Sequence, residues 1–431
     1  MSAIFQKLLH LMKIGILSII VFALPVLTLS LHAQVTIGSD EAPVHGALLQ
    51  LKNITNVTDG KANSTKGLLY PRVSLKSPIS VYPLEPLDDD TNRKELIGAM
   101  VYNVTENELL CKGLHVWQGE KWETLNGLNI DYVIDTRTST IDGREETHIY
   151  PTQNFEGAGT WMLINMKATM YADGTPIVKH NGTSAVAIGE SRYYYTAMVA
   201  GALNPVQDEA KYANGETFIY GMLYTWAAAT RKPKLANINE GEGMSTHTSN
   251  DVVSRPNTIP TNIEQVGVQG ICPNGWHVPS DKEMNDLEKV FANDQQGLYY
   301  NNSSEPTYKP TLWNDTWRTN QADNRGSHGR SLMSSYVNSS LGLSKKMCED
   351  GMAGFSAYPI GFIIDNYTDM FNVLGDYWTS SRGSITASPS SNEEHKNRAW
   401  YRSFMNEASR QGVTRRAEST RLFMSVRCKK D

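Results

Sequence analysis

The sequence predicts an α+β protein, with a β-rich N-terminal module followed by a domain of two helices, short strands and long loops. Apolar runs separated by turn residues, as in residues 66–75 and 98–105, indicate strands. Two segments of the second half carry apolar residues at helical spacing. Stretches rich in Ser, Asn, Thr and Gly, about residues 233–264 and 293–344, indicate long surface loops.

The chain begins with a segment typical of secretory signal peptides. Lys7 and Lys13 accompany an apolar run over residues 14–31, and the small residue Ala33 offers a cleavage position. We therefore expect residues 1–33 to be a signal peptide and the mature protein to work outside the cytoplasm. If the segment were left uncleaved, it would be a membrane anchor.

Residues 34–127 are predicted to form the β-rich module. Within it, "GLHVWQGEKWETL" reads as a hairpin, because Gly119 permits the positive φ of a tight turn between two apolar runs. Trp117 and Trp122 stand on either side of this turn, so their rings are expected to pack across the strand pair.

Residues 128–149 are polar and predict a linker, which leaves residues 150–431 as the second domain. Its first helix is predicted over residues 220–229, "YGMLYTWAAA", because alanine favours helix. Its second begins within "VPSDKEMNDLEKVF", where Ser280 is a good N-cap and Glu283 completes a capping box.

Charged side chains are expected to face water at particular places of this domain. On the second helix the expected polar face consists of Asp281, Lys282, Asp286 and Lys289. The C-terminal residues 420–431 alternate between apolar and polar and predict a half-buried strand with Arg427 on its outer face. Four arginines are expected to form a solvated rim, with acidic glycans as an alternative partner: Arg410, Arg415, Arg416 and Arg421.

Composition excludes some functions. The formal net charge of −5 argues against nucleic-acid binding, which requires a basic surface. No two cysteines show C-x-x-C spacing and no histidine cluster accompanies them, so we expect no metal site and no cofactor. Outside the cytoplasm four cysteines allow three complete disulfide pairings. These cysteines are Cys111, Cys272, Cys348 and Cys428.

Seven ordered motifs of the second domain give it a family resemblance. They are "GTWMLINMKATMYADGTPI", "YGMLYTWAAA", "VQGICPNGWHVPSDKEMNDLE", "GFSAYPIGF", "DYWTSSR", "AWYRSF" and "SVRCKKD". This order resembles the Fibrobacter succinogenes major paralogous domain family. The resemblance implies a C-type-lectin-like fold, a secreted or surface location, no established enzymatic activity, and a disulfide between Cys272 and Cys428.

The N-terminal module carries a second resemblance. "QVTIG", "KGLLYPRVSL", "GAMVYN" and "GLHVWQGEKW" resemble the N-terminal module of secreted Bacteroidetes proteins, which is similar to phage tail-fibre and adhesin-like stalk segments. This implies a protein secreted from, or displayed on the outer surface of, a Gram-negative bacterium. The same resemblance is compatible with a homo-oligomer formed through the N-terminal module.

A cysteine nucleophile is the sharpest catalytic hypothesis. Cys272 precedes His277 by five residues, but the pair lacks a distinctive third group, and a disulfide would remove the thiolate. Copper chemistry needs a close set of cysteines, and Cys348 stands alone in the sequence. We therefore expect a protein that is not an enzyme.

Ligand binding is expected in the loops. The weak candidates are Tyr299, Tyr300, Trp313, Asn314 and Asp315. The last three resemble the calcium and sugar tripeptide of animal C-type lectins, but no cysteine follows at lectin-like spacing. The aromatic residues of two predicted strands are expected to build the core instead: Tyr377, Trp378, Trp400 and Tyr401.

Together these patterns favour a secreted or surface-exposed, non-catalytic binding protein for a cell-surface ligand such as a glycan. The alternative is a structural subunit of a fimbrial or trimeric surface fibre. Contact with a membrane is expected only if the signal segment is uncleaved.

Overall fold

The computed structural model describes residues 35–44, 46–55, 61–107, 109–125, 130–196, 201–213, 220–231, 268–292, 324–325, 332–333, 337–338, 342–343, 354–382, 397–405 and 413–431. Its helices, within these ranges, are α1 (Asp90–Glu95), α2 (Pro205–Ala213), α3 (Trp226–Thr230) and α4 (Asp281–Ala292). The chain divides into two compact units, Met1–Tyr70 and Pro71–Asp431.

Strands make up most of the regular structure. In chain order they are β1 (Val35–Ile37), β2 (Leu49–Leu51), β3 (Arg72–Val73), β4 (Met100–Asn103), β5 (Gly113–Trp117), β6 (Trp122–Thr124), β7 (Asp131–Thr138), β8 (Glu145–Phe155), β9 (Gly159–Met162), β10 (Val178–Lys179), β11 (Arg192–Tyr195), β12 (Gly201–Ala202), β13 (Met222–Thr225), β14 (Trp276–His277), β15 (Asn324–Arg325), β16 (Val337–Asn338), β17 (Gly342–Leu343), β18 (Phe362–Ile364), β19 (Tyr367–Asp369), β20 (Leu374–Arg382), β21 (Arg398–Met405), β22 (Val413–Ser419), β23 (Phe423–Met424) and β24 (Lys429–Lys430).

The predicted α+β class is therefore wrong, because the described residues are mostly β. The C-type-lectin-like domain with two helices that the family resemblance implied is not evident either. Instead, the larger unit is built from four-, five- and seven-stranded sheets, with β16 and β17 as a separate pair. Only α4 corresponds to a predicted helix over its length.

The helix predicted over residues 220–229 is one source of this error. Met222–Thr225 is a strand, and the helix α3 begins only at Trp226, where the Thr225 side chain accepts a hydrogen bond from the Ala228 amide. All four residues of the strand are buried. A strand buried on both faces is a continuous apolar run, which sequence periodicity does not distinguish from a buried helix.

In the smaller unit, β1 and β2 form a two-stranded parallel ribbon. Val35 pairs with Leu49, and Ile37 pairs with Leu51. Because side chains alternate across a strand, these four apolar residues lie on one face of the ribbon.

A four-stranded sheet of order β3-β4-β5-β6 opens the larger unit. The predicted hairpin is confirmed here, since β5 and β6 are antiparallel and Trp117 pairs with Trp122 across a turn in which Gly119 has φ +100°. Both tryptophans are buried, with ring centroids 5.3 Å apart. Their indole nitrogens donate to the carbonyl oxygens of Arg93 and Ser80, so this small core is anchored to α1 and to the loop before it.

A five-stranded sheet of order β14-β24-β9-β8-β7 follows. Its strands β7 and β8 form a hairpin that includes most of the segment predicted as a polar linker. The sequence predicted a linker because this segment is polar. Its buried side chains, however, include polar ones: Asp135, Arg137 and His148. Arg137 is buried and donates to Asp135 and to the carbonyl oxygen of Ile271 at 2.8 Å.

The seven-stranded sheet has the order β10-β11-β13-β23-β18-β19-β12 and carries the largest hydrophobic cluster. The four-stranded sheet β15-β22-β21-β20 packs against α4. Four aromatic residues that the sequence assigned to the core are all buried: Tyr377, Trp378, Trp400 and Tyr401.

The C-terminal segment is not one half-buried strand. It contributes β23 to the seven-stranded sheet and β24 to the five-stranded sheet. Because the segment passes from one sheet to the other, both of its faces are covered. Phe423 and Arg427 are each fully buried, although the alternation placed Arg427 in water.

Candidate functional site

The predicted ligand-binding residues cannot be placed. Tyr299, Tyr300, Trp313, Asn314 and Asp315 all lie outside the described residues, so their role stays a prediction.

Cys272 is fully buried and bonded to Cys428, as the family resemblance implied. Their Cα atoms lie 5.9 Å apart, and the bond closes a separation of 156 residues. The thiolate that a cysteine nucleophile requires is therefore absent at this position. The disulfide instead fastens the C-terminal segment to the turn that leads into β14.

His277 has two carboxylate partners. Its Nδ1 lies 2.6 Å from Oδ1 of Asp431, and its Nε2 lies 3.0 Å from Oε1 of Glu283. Lys429 donates to the same Glu283 oxygen at 3.0 Å. These contacts hold the C-terminal strand β24 beside the beginning of α4, so they reinforce the disulfide.

Glu283 also completes the predicted capping box. The Ser280 amide donates to its carboxylate at 2.8 Å, and the Glu283 amide donates to the Ser280 hydroxyl at 3.2 Å. Burial opposes ionisation of Glu283, but the partners His277 and Lys429 outweigh it and hold its pKa well below the usual range. The contacts of Ser280, Glu283 and His277 therefore have a structural role.

A buried ionic cluster lies at the first turn of α4. Asp281, which was expected in water, is fully buried and accepts from the guanidiniums of Arg402 and Arg415. Arg402 also donates to Glu288 at 2.6 Å, and the Arg415 guanidinium lies 3.3 Å from the Trp400 ring centroid. Burial opposes ionisation of Asp281, but the two guanidiniums hold its pKa well below the usual range.

This cluster corrects the predicted arginine rim. Arg415 is buried within the cluster, whereas Arg410 lies outside the described residues and Arg416 and Arg421 are partly exposed. Arg427 is buried as well and donates to the side-chain oxygen of Asn165 at 2.8 Å. No local sequence signal could have revealed the hydrogen bonds of Arg402, Arg415 and Arg427 to Asp281, Glu288 and Asn165, since these residues lie at least 114 positions from their partners.

Asp376 is a buried carboxyl of a different kind. It faces Ser403 across β20 and β21, and neither of its carboxyl oxygens has a hydrogen-bond partner among the described residues. Burial raises the pKa of Asp376 to about 7, against smaller opposing effects of Ser403 and Arg416. Nearby Asp369 adds to the rise.

The remaining cysteines are only partly described. Cys111 is buried and disulfide-bonded, which excludes a free thiol at this position. Cys348 lies outside the described residues. Among the described residues no group of His, Cys, Asp and Glu is arranged to hold a metal ion. Within the same part of the chain, no helix is long and apolar enough to cross a membrane.

The ribbon β1–β2 presents the clearest apolar surface. Val35 and Ile37 on one strand are 46% and 57% exposed, and Leu49 and Leu51 on the other are 56% and 37% exposed. We call these four residues the ribbon face. Single exposed apolar residues are common, but four contiguous ones on one sheet face indicate a contact surface.

Comparison with known families identifies most of the larger unit. Residues 156–430 match the Fibrobacter succinogenes major domain. The chain belongs to this family. The matched range contains the disulfide, the Asp281 cluster and the contact of His277 with Glu283, whereas Asp431 lies one position beyond it.

A second match covers the region before that domain. Residues 36–142 match a phage tail-like trimerisation region, and this range includes three residues of the ribbon face. Neither a curated protein nor a solved structure matches the chain. The two family matches together indicate a surface or structural protein.

Proposed function

We propose that the protein is a non-catalytic surface protein that forms a homotrimer through its N-terminal region and displays the Fibrobacter succinogenes major domain. The observation that carries this proposal is the match of residues 36–142 to a phage tail-like trimerisation region. In such an arrangement three copies of the larger unit are presented together, which raises avidity for a repetitive surface.

Export supports the same proposal. The signal-like residues 1–33 would direct the chain out of the cytoplasm of a Gram-negative bacterium. The Cys272–Cys428 disulfide is suited to the oxidising environment that the chain would then meet. Protease added to intact cells should degrade the protein if it is displayed on the surface. A protein that stays intact under this treatment would contradict surface display.

The displayed domain is proposed to bind a ligand such as a glycan without converting it. Support comes from Cys272, the one nucleophile that the sequence suggested, because its sulfur is held in a disulfide. The sequence-based candidates for contact with the ligand remain Tyr299, Tyr300, Trp313, Asn314 and Asp315. An array of glycans probed with the full chain tests this, with Trp313→Ala expected to reduce the signal and Ile141→Ala, at an 83% exposed position, as a control.

The trimer itself is tested by the mass of the protein produced from the full-length sequence. Size-exclusion chromatography with light scattering at micromolar concentration should return three copies per particle. A mass of one copy at every concentration tested would contradict the proposed function.

A further inference from the structure

The smaller unit lacks a hydrophobic core in its described part. Among the described residues of 35–70, Lys52 is buried, and no apolar side chain is. Lys52 forms an ion pair with Glu41 at 2.8 Å, which explains its burial but adds little stability. A two-stranded ribbon without a packed face is marginal in water, so this unit needs apolar contacts that its described residues do not supply.

The ribbon face has the geometry for such contacts. Val35 lies opposite Leu49 and Ile37 opposite Leu51, so two adjacent rows of apolar side chains project to the same side. The intervening residues Thr36 and Gln50 are less exposed. The ribbon is therefore amphipathic, with its apolar side turned to solvent in the single chain.

We propose that the ribbon faces of three copies of this chain pack against one another around a threefold axis. This inference rests on the proposed function and specifies its contact surface. A second copy is the fitting partner because the trimerisation match begins at residue 36, within β1, and covers all of β2. Closed cyclic symmetry lets each copy present the same patch, and removal of these side chains from water would drive the association.

A charge on the ribbon face tests the assignment. Leu49→Asp should convert the trimer to single copies, a threefold fall in mass, because a carboxylate would be buried among apolar side chains. Leu69→Asp is the matched control, since Leu69 is 95% exposed, lies in the same unit and is outside the ribbon. This control should keep the mass of the unaltered protein.

The possible outcomes separate the two proposals. A single-copy mass for the unaltered protein would overturn both the trimer and the ribbon contact. A trimer that persists in Leu49→Asp would leave the trimer standing and overturn the ribbon assignment. Loss of the trimer in both variants would also overturn it, because the effect would then not be specific to the ribbon.

Cross-linking measures the proximity of two ribbon faces without disrupting the trimer. The described cysteines are disulfide-bonded, so a bis-maleimide should react with an introduced thiol. Ile37→Cys should give a covalent dimer on a reducing denaturing gel, because the position is repeated around the axis. Leu69→Cys should give much less. Equal yields from the two variants, or no dimer from Ile37→Cys, would overturn the ribbon contact.

Discussion

The two units differ in where they place their apolar and charged side chains. In the smaller unit, four large apolar residues of the ribbon β1–β2 are exposed, and Lys52, directly after β2, is buried. In the larger unit, three extensive apolar clusters are buried together with Asp281, Arg402 and Arg427. The first arrangement leaves apolar surface unsatisfied in the single chain, whereas the second gives the charges of α4 partners within it.

This difference teaches where further contacts are needed. Buried charges are tolerated only with partners, and Asp281 has both of its guanidinium partners inside the larger unit. Asp281 is therefore satisfied within the larger unit. The ribbon face is not, because exposed apolar surface is stabilised only when something covers it.

The largest expected effect would come from breaking the Asp281 cluster. Asp281→Asn preserves the shape but removes the charge that holds Arg415 and Arg402, so it should lower the free energy of unfolding by about 3–5 kcal/mol. Urea unfolding of the full chain measures this. The control is Asp286→Asn on the same helix, whose pair with Lys289 is partly exposed and which should cost less than about 0.5 kcal/mol. Equal losses would contradict the role of the Asp281 cluster.

Asp376 offers the next largest effect, through pH. Its pKa is about 7 in the folded protein and ordinarily near 3.8, so the folded state binds more protons between these values. The contribution of this carboxyl to stability is therefore lost progressively as pH rises from about 4 to about 7. The total loss is at most about 4 kcal/mol.

Asp376→Asn isolates that contribution. The amide cannot ionise, so the variant should lose this part of the pH dependence and be more stable than the unaltered protein at pH 8. Denaturant unfolding of both proteins at pH 5 and pH 8 gives the comparison, with other titrating groups common to both. Parallel profiles would show that Asp376 is not a buried, unsatisfied acid.

The smallest expected effect concerns the capping box. Ser280→Ala removes the hydroxyl that accepts from the Glu283 amide, and it should cost about 1 kcal/mol. Ser280→Thr retains a hydroxyl and should recover most of the loss. Thermal unfolding of the two variants measures the difference. Equal unfolding temperatures for the two would mean that the hydroxyl of Ser280 adds little to stability.

Features that depend on neighbours in sequence could be predicted. The hairpin of Trp117 and Trp122 follows from alternation and from a glycine turn, and the capping box follows from Ser280 and Glu283 three residues apart. The buried aromatics of β20 and β21 were predicted as well. The candidates in the loops, by contrast, remain outside the part of the chain that the structure describes.

Errors arose where a residue's environment comes from distant segments. Residues 222–225 were assigned to a helix because a strand covered on both faces lacks a distinguishing period. Asp281 was placed in water because its helical position gives no sign of the arginines that meet it. In both cases the local pattern was compatible with two structures, and packing selected one.

The sequence by itself determined the turns, the capping box and the family of the larger unit, because these are encoded in residues close together or in ordered motifs. Only the tertiary structure decided which charges are buried. The partners of Asp281 lie 121 and 134 residues away, on β21 and β22, and Cys428 lies 156 residues from Cys272. Such contacts exist only after the chain has folded, so their energies are absent from any local pattern.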